Sequence, residues 1–241
     1  MKQNKIYIYG RHALTEALRN VPLAVRHVYF AKEMKDGTLR RLAQQSGLPV
    51  EILDPRKATS WVERNAPHQG AVALISLSNI LIPYEKWQPA DTSKPLVLLN
   101  EVIDPQNVGA VIRSAAAFGA GAVLMPTVKQ APISGAVIKA SAGLAFTVPL
   151  VSISNLQQTI SDLKKKGYRV YGLAGEGKNP LHTEPFDKPV VFIMGNEAQG
   201  LGKVMQLCDK VISIPIEPNA ESLNVAAAAA ITLYQWHTKN R

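Results

Sequence analysis

The sequence predicts an α/β protein in two parts, a small N-terminal α/β unit and a larger domain built on a parallel sheet. From residue 95 onward, almost continuously apolar strand segments alternate with helical segments, a pattern typical of a parallel sheet covered on both faces. Residues 82–95, "IPYEKWQPADTSKP", contain three prolines and no periodicity, which favours a linker. A chain of 241 residues that is 46% hydrophobic suits one or two globular domains.

The N-terminal unit, residues 1–82, alternates short strands with helices. Its clearest helix is 11–20, because Ala13, Leu14, Ala17 and Leu18 fall on one helical face. The predicted strands are 6–10, 25–31, 50–53 and 70–77, and the predicted helices are 11–20, 37–47 and 58–67.

After the linker at 83–95, residues 96–241 form the predicted second domain. Its helix 155–167 ends at a glycine with lysines in the last turn, as helix C-termini favour. The predicted strands are 95–100, 122–126, 147–151, 168–174, 189–195 and 210–215, and the predicted helices are 107–118, 134–145, 155–167 and 222–237.

The charge distribution favours a polyanionic partner. The net charge is +9, and the first 82 residues hold twelve Lys and Arg against six Asp and Glu. The N-terminal unit is therefore expected to bind a phosphate backbone.

A single cysteine, Cys208, indicates a reducing compartment, and with no signal peptide we expect a cytoplasmic protein. Neither a metal site nor a membrane span is expected, since the five histidines are scattered and no apolar run is long enough to cross a bilayer.

Several common α/β functions are excluded by missing motifs. The first strand–helix turn of the second domain reads "NEVIDPQNVG", which is not the G-x-G-x-x-G of dinucleotide-binding folds. The "AGEGKN" stretch at 174–179 lacks P-loop spacing and is interpreted as an ordinary turn. There is no G-x-S-x-G nucleophile elbow.

Three polar loops instead follow strands at one predicted edge of the sheet, where ligands of open α/β sheets bind. They are "DPQNVGAVIRSA" from 104, "MGNEAQGLG" at 194–202 and "IPIEPNAESLNVAAAAA" from 214. Each has a simpler interpretation. Asn107, Ser222 and Asn224 are all plausible helix caps, and Arg113 could extend to a surface carboxylate. Gly195 could serve only as a turn.

In order and spacing, these three loops resemble the signature motifs of the SpoU (TrmH-type) RNA ribose 2′-O-methyltransferases of the SPOUT class. "YGRHALTEAL" and "HQGAVA" at 68–73 resemble the substrate-binding domain of the RlmB-type members, which methylate a guanosine of large-subunit ribosomal RNA. The resemblance implies a small N-terminal RNA-binding domain and an α/β-knot methyltransferase domain with a C-terminal trefoil knot. The chain departs from the family pattern at Asn100, Leu144 and Ala198.

The resemblance also implies S-adenosylmethionine as cofactor and a set of functional residues. Arg113 would face the RNA phosphate and the target 2′-hydroxyl, and Asn107 would position Arg113 or the substrate. The implied polar wall is Glu197, Ser222 and Asn224; the implied cofactor contacts are Leu173, Met194, Gly195, Ile214 and Leu223; and the implied RNA contacts are Arg11, His12, His68, Gln69 and Arg113.

A homodimer is a further expectation from the family. Leu233, Tyr234 and Trp236 of the last helix could contribute to its interface or belong to the core. Two alternatives stay open from sequence alone: the same chemistry on transfer RNA, and a non-catalytic RNA-binding or ribosome-assembly factor.

Overall fold

The computed structural model describes residues 4–62, 66–187, 189–196 and 199–240. The N-terminal unit is a four-stranded mixed sheet in the order β1-β4-β2-β3. Its strands are β1 (Lys5–Tyr9), β2 (Val25–Phe30), β3 (Val50–Ile52) and β4 (Ala71–Ser76), and its helices are α1 (Arg11–Asn20), α2 (Gly37–Gln45) and α3 (Pro55–Trp61).

Helix α1 forms where the apolar spacing predicts it, and Ala13, Leu14, Ala17 and Leu18 are all buried. Helix α3 begins at Pro55, three residues before the predicted start at 58. The reason is local: the Asp54 side chain accepts a hydrogen bond from the Arg56 amide at 2.8 Å, and proline suits the first helical position.

The second domain is an eight-stranded sheet in the order β10-β12-β9-β11-β6-β7-β8-β5. Every neighbouring pair is parallel, which confirms the predicted parallel sheet. Its strands are β5 (Leu81–Pro83), β6 (Leu96–Leu99), β7 (Ala122–Pro126), β8 (Leu150–Ile153), β9 (Arg169–Leu173), β10 (Asn179–Pro180), β11 (Val190–Met194) and β12 (Lys210–Ser213), and its helices are α4 (Pro105–Ala117), α5 (Gly135–Ala140), α6 (Leu156–Lys165) and α7 (Val225–Lys239).

Apolar side chains alternate between the two faces of this sheet. In β6, Val97 and Leu99 pack with α4, α5 and α7, whereas Leu96 and Leu98 pack with α6. All four side chains are fully buried, so the central strand has no polar face.

The stretch interpreted as a linker contains regular structure. Pro83 ends β5, which pairs in parallel with β8 at the sheet edge, and Trp87 is buried against the α6 side. Proline is tolerated there because an edge strand need not donate on its outer side. The division into domains 1–82 and 96–241 stays a prediction, and the chain leaves the first unit through a strand of the second sheet.

The two sheets are held together at α5 and the 3-10 helix Leu144–Phe146 that follows it. A methyl group added at Gly135 would lie 2.5 Å from the Tyr7 carbonyl oxygen, so α5 lies directly against β1. At Gly143 an added methyl group would lie 3.0 Å from Glu16 Cβ. Buried residues of both units form one continuous hydrophobic cluster.

Helix α4 packs on α5 through Gly109, whose absent side chain lets the two backbones approach. A methyl group at this position would collide with Ala140 Cβ and would lie 2.7 Å from the Val137 carbonyl oxygen. We expect Gly109→Ala to lower the free energy of unfolding by about 1–3 kcal/mol, the cost of overpacking a tight contact. Chemical denaturation would measure it, with Gly37→Ala as control because no atom lies within 4 Å of that added carbon. Equal stability of the two variants would contradict the close packing.

Candidate active site

The three polar loops converge at the carboxyl ends of β6, β11 and β12. Asn100, which directly follows β6, donates from its side-chain amide to the Leu201 carbonyl oxygen at 3.3 Å. Asn196 Nδ2 donates to the Glu101 carbonyl oxygen at 2.8 Å. Asn224 Nδ2 donates to Asn107 Oδ1 at 2.9 Å. Hydrogen bonds from three asparagine side chains therefore join loops that are far apart in the sequence.

Asn107 is not the N-cap of its helix, contrary to the simpler sequence interpretation. Helix α4 begins at Pro105, and Asp104 is the cap, accepting from the Gln106 amide at 2.8 Å. Proline after Asp104 favours this earlier start. Asn107 thus lies in the first turn, where its side-chain oxygen accepts from Asn224.

Asn224 is a true N-cap, as the sequence suggested. Its Oδ1 accepts from the Ala226 amide at 2.8 Å and the Ala227 amide at 3.3 Å, while its Nδ2 reaches α4. Ser222 does not cap the helix, because α7 begins only at Val225. It is exposed and lines the cavity described below.

Arg113 lies on α4 and is exposed, although its neighbours Val111 and Ile112 are fully buried. Among the described residues, its guanidinium has no hydrogen bond and no ion pair. The simpler interpretation, in which Arg113 extends to a surface carboxylate, therefore finds no support in the described part of the chain. Glu197, the acidic member of the predicted set, lies outside the described residues.

A cavity of about 420 Å³ opens beside these loops. All five predicted cofactor contacts line it, namely Leu173, Met194, Gly195, Ile214 and Leu223. The sequence interpretation missed Gly175 and Glu176, which follow β9 and also line the cavity. Their position directly after a strand at the same sheet edge was the available signal.

Position 195 requires glycine because the backbone of Gly200 and Leu201 lies close to it. A methyl group at this position would lie 2.5 Å from both the carbonyl carbon and the carbonyl oxygen of Gly200. Asn196 and Gly200 exchange backbone hydrogen bonds of 2.8 and 2.9 Å, which close the loop into a tight bend. Backbone atoms and apolar strand ends, rather than a row of charges, therefore form this wall.

Cys208 does not supply a nucleophile. Burial raises the pKa of its thiol to about 11, so the thiol stays protonated at neutral pH.

In the described parts of the chain, no group of three or more His, Cys, Asp or Glu side chains is placed to hold a metal ion. None of the helices described is both long and apolar enough to span a bilayer.

Three of the predicted RNA contacts in the N-terminal unit lie together. Arg11, His12 and Gln69 line one open depression beside the start of α1, with Thr15 and Asp36 completing it. The Arg11 amide donates to Gln69 Oε1 at 3.3 Å. His68 is not among the lining residues; its Nδ1 accepts from the Gly70 amide at 3.1 Å and shapes the turn before β4.

Two family models match successive parts of the chain. A family model described as the SpoU rRNA Methylase family matches residues 94–234, and a model for RNA 2′-O ribose methyltransferase substrate binding matches residues 7–81. A curated 23S rRNA (guanosine-2′-O-)-methyltransferase RlmB from Pseudomonas putida is 34% identical, covering 95% of this chain and 94% of its own.

Two further similarities extend over nearly the whole chain. An uncharacterized tRNA/rRNA methyltransferase from Mycobacterium avium is 33% identical, covering 97% of this chain and 77% of its own. The crystal structure of the SpoU methyltransferase AviRb from Streptomyces viridochromogenes, in complex with AdoMet, superimposes with a TM-score of 0.82. It is 22% identical and covers 98% of this chain and 90% of that one.

Proposed function

Because this chain belongs to the SpoU rRNA methylase family, we propose that it transfers a methyl group from S-adenosylmethionine to a ribose 2′-hydroxyl of RNA, on a guanosine of 23S ribosomal RNA. The observation that carries the proposal is the hydrogen bond from Asn224 to Asn107. It joins the loop bordering the cavity to the helix that carries Arg113, so a cofactor and a ribose can meet between them.

The cavity fits S-adenosylmethionine by its chemistry. Ile214, Leu173 and Met194 offer apolar surface for an adenosyl group, and the bend at Gly195 brings backbone atoms to the cavity wall. When bound, the cofactor supplies a methyl group on a sulfonium centre. The trefoil knot expected of the family remains part of this proposal.

Arg113 is proposed to bind and orient the RNA rather than to remove a proton. An arginine guanidinium is effectively always protonated, which makes it a poor general base. Its planar fork can bind a phosphate through two hydrogen bonds. It can also stabilise the negative charge that develops on the ribose oxygen as the hydroxyl proton passes to water and the methyl group leaves the sulfonium sulfur. Asn107, held by Asn224, keeps the start of α4 in place, and Ser222 and Glu197 complete the polar surroundings in this proposal.

A methylation assay on defined RNA tests the function. We expect the purified protein to methylate a 23S rRNA transcript, with the 2′-O-methyl group mapped to one guanosine, and to show no turnover on transfer RNA. Turnover on transfer RNA alone would favour the alternative that the tRNA/rRNA name of the Mycobacterium avium relative leaves open. Calorimetric titration without detectable S-adenosylmethionine binding would instead favour a non-catalytic RNA-binding or ribosome-assembly factor.

A homodimer is proposed with a smaller interface contribution from α7 than the sequence suggested. Leu233 and Trp236 are 0% and 8% exposed within one chain, so they belong to the core and not to an interface. Tyr234 and Ile231 are 56% and 40% exposed and remain available for a second copy. Sedimentation velocity measures the oligomeric state directly.

We also propose that the reaction takes place in the cytoplasm, in keeping with the single cysteine.

A further inference from the structure

Lys139 is a half-buried cation at the junction of the two units. It lies in the last turn of α5, and its ammonium nitrogen is 2.9 Å from the point where a side chain at Gly10 would begin. Gln69 Oε1 lies 3.7 Å from the same point. Gly10 has φ +92°, so both its conformation and the lysine above it favour glycine at this position.

Lys139 differs from the other half-buried lysines in having no carboxylate partner. Across the described ranges, three lysines are half-buried, and two of them pair with acids: Lys164 with Asp209 at 2.6 Å and Lys210 with Glu184 at 3.0 Å. Lys139 Nζ has no hydrogen bond or ion pair with a described residue. A partly desolvated cation without an anion is costly, which favours an anion supplied from outside.

The N-terminal side of Lys139 also carries a cation, Arg11. Arg11 and His12 follow Gly10 directly and border the depression that contains Gln69. The one carboxylate lining that depression, Asp36, is already engaged as the N-cap of α2 by the Leu39 amide at 3.0 Å. The cluster thus combines a cation from each unit with an amide side chain and an imidazole.

The same lysine lies close to the helix that carries Arg113. Val137, two residues before Lys139, and Ala140, one residue after it, form the contact with Gly109 of α4. Arg113 follows Gly109 by one helical turn. Helix α5 therefore contacts both the helix that carries Arg113 and, through Lys139, the turn at Gly10 in the N-terminal unit.

We propose that Lys139, together with Arg11, His12 and Gln69, forms a phosphate-binding site for the RNA backbone at the junction of the two units. This inference rests on the proposed RNA substrate. The methyltransferase domain thereby contributes its own cation to RNA binding, and the strand is held where it passes from the recognition surface toward the cofactor cavity.

The test compares Lys139→Gln with Lys94→Gln. Lys94 is an exposed lysine just before β6, at the opposite end of the sheet from the cavity. For Lys139→Gln we expect about tenfold weaker RNA binding and a KM for RNA raised in proportion, as for loss of one charge-assisted contact. The slope of log K against log salt should fall by about 0.7–0.9, the value for one phosphate. S-adenosylmethionine affinity and kcat at saturating RNA should not change, and Lys139→Arg should restore binding.

A salt slope for Lys139→Gln equal to that of Lys94→Gln would overturn the site. So would weaker binding accompanied by a lower Tm and an unchanged slope, because a purely structural lysine acts in that way. Failure of the wild-type protein to methylate any RNA is a separate result, which counts against the proposed function and leaves the salt slope to decide the phosphate site.

Discussion

Replacement of Arg113 by alanine is expected to abolish methyl transfer while leaving S-adenosylmethionine affinity within about twofold. The guanidinium is exposed and has no partner among the described residues, so its removal should not disturb the fold. Loss of a group that stabilises developing charge typically costs about 10²–10³-fold in kcat. Single-turnover methylation of the RNA substrate, together with calorimetric titration of the cofactor, measures both quantities.

Lysine at position 113 is expected to fail as well, because an ammonium cannot form the two parallel hydrogen bonds of a guanidinium. Lys94→Ala, which removes a cation far from the loops, serves as control and should keep full turnover. Full turnover in Arg113→Ala would show that the assignment is wrong. Full turnover in Arg113→Lys alone would reduce the role of Arg113 to that of a simple positive charge.

The second large effect is expected for Gly195→Ala, which should weaken S-adenosylmethionine binding by about 10–100-fold, because the cost of overpacking a tight contact falls on the wall of the cofactor cavity. The added carbon would lie 2.5 Å from the Gly200 backbone and 2.9 Å from the Leu201 amide nitrogen. Real side chains do not tolerate such distances, so the bend must open and its wall must move. Isothermal titration calorimetry measures the affinity.

Gly175→Ala is the matched control for that variant. Gly175 lines the same cavity, but no atom lies within 4 Å of a carbon added there and its φ is not positive. We expect its cofactor affinity to stay close to that of the wild type. If both glycine variants bind the cofactor equally well, the tight bend at Gly195 does not shape the cofactor site.

Long periodic or wholly apolar segments made most of the fold predictable. Val97 and Leu99 belong to such a strand, and the helix that carries Ala17 and Leu18 shows one clear apolar face. The pattern was not informative for β5 and β10, of three and two residues, because a strand that short shows no period. Burial of Leu233 in the chain's own core depends on how α7 packs, which no local pattern reports.

The site was predictable to the extent that parallel strands bring their carboxyl ends to one edge. That rule brings Asn107, Asn224 and Gly195 to the same side of the sheet from three distant segments. The cap of α4 had a signal in the sequence, since proline after Asp104 suits the first helical position, although Asn107 is also a good cap residue. The proximity of Lys139 to the N-terminal unit depends on the packing of two units and has no sequence signal.

The strand β5 and the contact of α5 with β1 set the position of the N-terminal unit beside the larger sheet in this structure. If RNA binds to the N-terminal unit and to Arg113 as proposed, the distance between these two contacts is set by the fold. That distance would fix the number of nucleotides between the RNA element recognised by the N-terminal unit and the ribose at Arg113. Insertion of one nucleotide into that interval would bring the adjacent ribose to the cofactor. Under the proposed function, the choice of target would then depend on the length of RNA between the two contacts.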